Sequence, residues 1–197
     1  MTEENSFSRL VTLACHDLRT PLATVFGFAR TLTRSAELDE TSARYVALIE
    51  SASGQIGELL EELGLAARIE AGRYAPTLAE TDTVALAHAA AERLGHERVS
   101  VSGAGGLVNV DREATERAFS ALVQCALRHG GLEQVDVVAA GAQLAVSPVT
   151  NASAPVVLGR DLRDLGAAVA VLVIEAQGGS LTLDGTTLAV RLPVNGL

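Results

Sequence analysis

The chain has 197 residues, 48% hydrophobic and 20% charged, which excludes wholesale disorder and suffices to bury a core without disulfides or a structural metal. Fifteen basic residues, all Arg, stand against 24 acidic ones; the net charge of −9 excludes general nucleic-acid or anionic-membrane binding, since both need a cationic surface. Cys15 and Cys125 read as reduced thiols, the polar, acidic start MTEENSFSR is the reverse of a signal peptide, and the apolar stretch Leu165 to Ile174 is too short to cross a bilayer.

The first third has helical periodicity. Cys15, Leu18, Leu22, Val25, Ala29 and Leu32 alternate spacings of three and four, a heptad seam. Tyr45, Ile49, Ala52, Ile56, Leu59, Leu63 and Ala66 repeat the pattern after a polar join around Ser35 to Glu40. Two long helices with a short join predict an antiparallel hairpin. Apolar residues beside the seams (Leu10, Leu13, Phe28; Leu48, Leu60) make a stripe too wide for one hairpin to cover, so a homodimeric four-helix bundle is expected. Ala71–Gly72 and Pro76 end the second helix, which sets the domains at 1–74 and 75–197.

Beyond that boundary, Asp82 can cap a helix carrying Leu86, Ala89, Ala90 and Leu94. Strands are expected at Arg98–Ser102 and Leu107–Val110, then a helix from Asp111 to about His129, stopped by Gly130–Gly131. Val135–Ala140 and Gln143–Ser147 flank Gly141 as a hairpin, and the uncharged stretch Val137 to Gly159 reads as paired strands and a loop. A helix from about Asp161 to Gln177 follows, then a hairpin of SLTL, Asp184–Gly185 and TTLAVRLP. The fold class is therefore α+β, a helical hairpin followed by an α/β sandwich.

In the first helix His16 falls one position past a seam residue and points outward, with Asp17 adjacent and Thr20 one turn along the same face. Pro21 removes one backbone bond, frees the carbonyl of Asp17 and is expected to kink the helix near His16. A neutral imidazole can attack a phosphoryl group, and a neighbouring carboxylate can take the displaced proton or hold the tautomer. A surface histidine on a helix that tolerates a proline has the same spacing. Cys125 and His129 lie four apart on one helix, but no third or fourth ligand is apparent, so a core thiol and a terminal histidine are expected, and no metal site.

HDLRTPL at His16–Leu22, FGFARTL at Phe26–Leu32 and the run Tyr45–Tyr74 resemble the phosphoacceptor segment and return helix of two-component sensor histidine kinases. The Asp111 helix and IEAQGGSLTLDGTTLAVRLP at Ile174–Pro193 resemble pieces of that family's ATP-binding domain, so the resemblance spans nearly the whole chain. It implies that His16 carries the phosphoryl group, Asp17 is the acid/base beside it, Thr20 acts in dephosphorylation, and the helix pair dimerises and docks a response regulator receiver domain.

The second domain departs from the family at every nucleotide-contacting element. The family's two Asn, the later one binding Mg²⁺-nucleotide, are here Ala121 and Cys125, neither of which ligates a hard cation as an amide oxygen does. The Asp-x-Gly-x-Gly adenine motif has Asn151 as its nearest counterpart, with no glycine. The phosphate loop is reduced to LRDLG, with Gly166 alone kept and Asp164 set to face the phosphates, and the lid between Asn151 and Leu162 is nearly gone. The expectation is a cytoplasmic two-component protein without ATP or another bound cofactor. It would be a phosphotransferase or phosphatase rather than an ATP-dependent autokinase, with Mg²⁺ supplied at the regulator. An active or trans-phosphorylated kinase and a non-enzymatic dimeric scaffold are the alternatives.

Overall fold

The computed structural model describes residues 3–35 and 38–194. The polar join at Ser35–Glu40 therefore lies partly outside the described residues, as does the side chain of Leu10. The chain divides into two compact units, Met1–Arg73 and Tyr74–Leu197.

The first unit is a pair of long helices, α1 (Glu3–Ser35) and α2 (Glu40–Glu70). Helix α1 runs unbroken through Pro21. Asp39 starts α2: the backbone N–H groups of Thr41 and Ser42 both donate to its Oδ1 at 3.0 Å, which satisfies two of the donors a helix start leaves over.

The face that closes the hairpin differs from the expected one. On α1, Cys15 and Ala29 are buried and Leu22 half-buried, as the seam requires, but Leu18, Val25 and Leu32 stay exposed. On α2 the inner row is Ser53, Gly57, Leu60, Gly64 and Ala67, one residue later than the row starting at Tyr45. The reason is size. Small residues let the two backbones approach: a Cβ built on Gly64 would stand 3.8 Å from Cys15 Cβ, and one on Gly57 3.8 Å from Leu22 Cδ2. The larger row at Tyr45, Ile49, Ile56, Leu59 and Leu63 is left facing outward.

The second unit is a two-layer sandwich. Its elements are β1 (Leu78–Asp82), α3 (Thr83–Leu94), β2 (Val99–Gly105), β3 (Leu107–Asp111), α4 (Arg112–Gly130), β4 (Val135–Gly141), β5 (Gln143–Ser147), α5 (Ala154–Val157), α6 (Leu165–Ala176), β6 (Ser180–Asp184) and β7 (Thr187–Arg191). The main sheet has the order β2-β4-β5-β7-β6, with β2 and β4 parallel and the other neighbours antiparallel. Alternate residues of its strands are buried (Val135, Val137 and Ala139; Leu144 and Val146; Leu188 and Val190), the pattern of a sheet with one covered face. Helices α3, α4 and α6 cover it, contributing Leu86, Phe119, Leu122, Val173 and Ile174 to the core.

Asp82 and Asp111 cap α3 and α4 as the sequence suggests, each accepting from a backbone N–H of the first turn. Gly131, at φ +63°, closes α4 in the left-handed conformation that side chains disfavour. The last hairpin turns on Gly185 and Thr186, while Asp184 stays in the ladder opposite Thr187.

Three expectations need correction. Strand β1 is absent from the sequence reading; it pairs antiparallel with β3, but of its five residues only Thr81 is buried, so it has no apolar alternation to detect. The stretch up to Gly159 holds a short helix, α5, with Pro155 in its first turn, besides strands and loop. Helix α6 starts at Leu165 rather than Asp161, because Asp164 is its cap and Asp161 pairs instead with Arg163, at 2.8 Å.

Candidate functional site

His16 lies on α1 between buried Cys15 and exposed Asp17, which turns its ring away from the inner face of the hairpin. The imidazole is 77% exposed and the Asp17 carboxylate 68%. They meet through His16 Nδ1 and Asp17 Oδ1 at 3.2 Å. In the tautomer that donates Nδ1–H to Asp17, the lone pair on Nε2 faces solvent. Thr20 is exposed one turn further on, and its carbonyl accepts from Thr24 Oγ1 at 3.1 Å. Beyond Thr20, a shallow apolar groove is lined by Leu18, Pro21, Leu22, Val25, Ile56 and Leu60. An exposed imidazole with a carboxylate at its other ring nitrogen is an arrangement chemically able to attack a phosphoryl group.

In the α/β unit two of the positions that depart from the nucleotide-binding pattern, Cys125 and Asp164, come together in one cluster. Ala121 is half-buried on α4, and Cys125, one turn later, is buried in the core. Asn151 is exposed in the turn before α5, and Gly166 lies half-buried in the first turn of α6. Asp164 does not face open space. Its Oδ1 accepts from Ala167 N at 3.1 Å, capping α6. Its Oδ2 takes His129 Nε2 at 3.0 Å and Arg128 Nη2 at 3.1 Å. Where a phosphate loop would offer helix N–H groups to an anion, this chain supplies the anion from its own side chain. Burial, with the Asp164 charge added to it, pushes the Cys125 thiol up to about 12.

The expectation that Cys125 and His129 have no third companion is therefore wrong. The Cys125 sulfur, a His129 ring nitrogen and an Asp164 oxygen all lie within 4.8 Å of one another. Asp164 joins from another helix, and the only sequence signal was its position as a cap before the apolar run of α6.

Residues 8–72 match the His Kinase A (phospho-acceptor) domain. No curated protein matches the chain in sequence. Among solved structures, full-length ShkA in complex with AMPPNP aligns over 94% of this chain with a TM-score of 0.71 and 19% identity. This chain spans 45% of that protein's length. The Acinetobacter baumannii histidine kinase AdeS aligns over 92% of this chain and 98% of its own, with a TM-score of 0.56 and 17% identity. At these identities the likeness is one of fold: a helical hairpin followed by an α/β domain.

Proposed function

We propose that this chain, whose residues 8–72 match the His Kinase A (phospho-acceptor) domain, is a two-component protein of the histidine kinase type that works in phosphotransfer, exchanging a phosphoryl group between His16 and the Asp of a response regulator receiver domain. The observation that carries this is the exposed imidazole with Nδ1 engaged by Asp17. Nε2 attacks phosphorus. As the N–P bond forms, the P–O bond to the regulator's carboxylate breaks and the carboxylate leaves with the electron pair. The positive charge that develops on the ring is met by Asp17, which accepts the Nδ1 proton. Mg²⁺ held by the regulator stabilises the transferring phosphoryl oxygens. Transfer in the other direction reverses each step. In the same reading Thr20, exposed one turn along α1, orients water for cleavage of the regulator's phosphate.

In the same proposal the α/β domain has lost ATP and serves as a brace or docking surface. Support comes from Asp164, whose carboxylate sits at the start of α6 against Arg128 and His129 and takes the Ala167 N–H that a phosphate group would need. Further support comes from Cys125, a buried thiol in the place of a Mg²⁺-binding amide. The exposed row from Tyr45 to Leu63 supports a homodimer, since a second hairpin would cover it.

The test mixes the protein with a phosphorylated regulator and Mg²⁺. Acid-labile label is expected on the wild-type chain and absent from His16→Ala; equal labelling of both would refute the role of His16. Calorimetric titration with Mg-ATP should give no heat at high micromolar nucleotide, whereas saturable heat would mark an autokinase instead.

A further inference from the structure

Cys125 and His129 are one turn apart on α4, so both side chains leave the same face of a rigid helix. Asp164 reaches that face from the start of α6, which packs on α4. The three ligand atoms are already within 4.8 Å of each other, and the His129 Nε2 to Asp164 Oδ2 separation of 3.0 Å is of the order found between neighbouring ligands of one small metal ion. The Asp164 carboxylate is held in place from behind, because its Oδ1 is committed to Ala167 N–H while Oδ2 faces the cluster. That is how outer-shell bonds orient a metal ligand. The cluster is also reachable: Cys125 is sealed in the core, but the His129 side chain is 20% exposed and that of Asp164 12%.

We infer that Cys125, His129 and Asp164 form a site for one transition-metal ion of the Zn²⁺ or Co²⁺ type, with water in the fourth position. The donor set of sulfur, nitrogen and oxygen suits a borderline ion and not Mg²⁺ or Ca²⁺, which take oxygen donors. Three protein ligands with an open fourth place match the pattern of metal sites that remain accessible to solvent or substrate. The charge balance is consistent. Without metal, Asp164 has Arg128 as its counter-ion and lies within hydrogen-bond distance of the His129 ring. A divalent ion displaces the thiol proton to solvent and takes the thiolate, the neutral imidazole and the carboxylate, so the cluster becomes neutral. Arg128, which is largely exposed, turns out to water, and Arg163 already has Asp161 as its partner. None of its ligands belongs to the hairpin that carries His16.

Cobalt is the probe. Co²⁺ alone is titrated into the reduced, untagged full chain. A sulfur-to-cobalt charge-transfer band and visible bands of four-coordinate cobalt are expected, saturating at one ion per chain and erased by Zn²⁺. Cys125→Ser should lose the charge-transfer band, whereas Cys15→Ser and His16→Ala should keep it. His129→Gln, at the half-buried end of α4, guards against a core variant that fails to fold. It should weaken cobalt binding by at least about tenfold, the lower end of what losing even an outer-shell partner costs. A folded wild-type chain that leaves cobalt with the spectrum of the aqueous ion overturns the site. So does a charge-transfer band that survives in Cys125→Ser.

Discussion

In the α/β unit Phe119, Leu122, Leu144, Leu188 and Val190 are wholly buried, whereas on the hairpin Phe28 remains 68% exposed and Tyr45, Leu48, Ile49 and Leu59 are exposed as well. Both units are rich in apolar residues, so the difference is one of architecture. A sheet has one wide face, and three helices laid across it bury that face within a single chain. Two helices meet along a narrow line, and every apolar residue off that line needs a further partner. The first unit thus leaves most of its large apolar residues uncovered, and the second encloses a core of its own. The chemistry divides along the same boundary. The exposed imidazole of His16 sits on the hairpin, and the Cys125–His129–Asp164 cluster sits in the α/β unit.

The strongest way to break this comparison is to remove Phe119 from the closed core. Phe119→Ala should cost about 3–5 kcal/mol, seen as early unfolding of the α/β unit by circular dichroism, while the hairpin stays helical. A single shared transition in which the hairpin is lost as well would show that the two units are not independent. The next effect is on association. Ile49→Glu places a charge on the exposed row of α2 and removes about 1.5–3 kcal/mol of apolar burial per chain from the proposed dimer. Sedimentation should show the dimer at least about tenfold weaker with helix content unchanged. An unaltered dimer would place the interface elsewhere. The smallest effect has the opposite sign. Gly64→Ala adds a Cβ that meets Cys15 Cβ at an ordinary 3.8 Å and gains helix propensity, so the hairpin should be stabilised by up to about 1 kcal/mol, read as a higher thermal midpoint. A lower midpoint would mean that the helices pack more tightly at this point than that spacing allows.

Much of this was legible in the residues. Periodicity marked α1 and α2, Asp82 and Asp111 marked two helix starts, and the alternation around Gly185 marked the last hairpin. The exposure of His16 followed from its offset from Cys15 on a helix. What escaped had no local signature. Strand β1 is mostly exposed, α5 lies in an uncharged run that suits strands as well, and Asp161 and Asp164 are both acceptable helix caps until Arg163 claims the first.

Sequence by itself determined most of the element types and the outward imidazole with its neighbouring acid. Tertiary structure alone decided which row of α2 faces α1, and that Asp164 comes to lie against His129 from 35 positions away. The two rows of α2 are one residue and about 100° apart, and both satisfy a hydrophobic count. Close approach of the backbones selects the row of small residues, a steric choice that hydropathy does not register. The cluster depends on how α4 and α6 pack over the sheet, and no spacing along the chain encodes that distance.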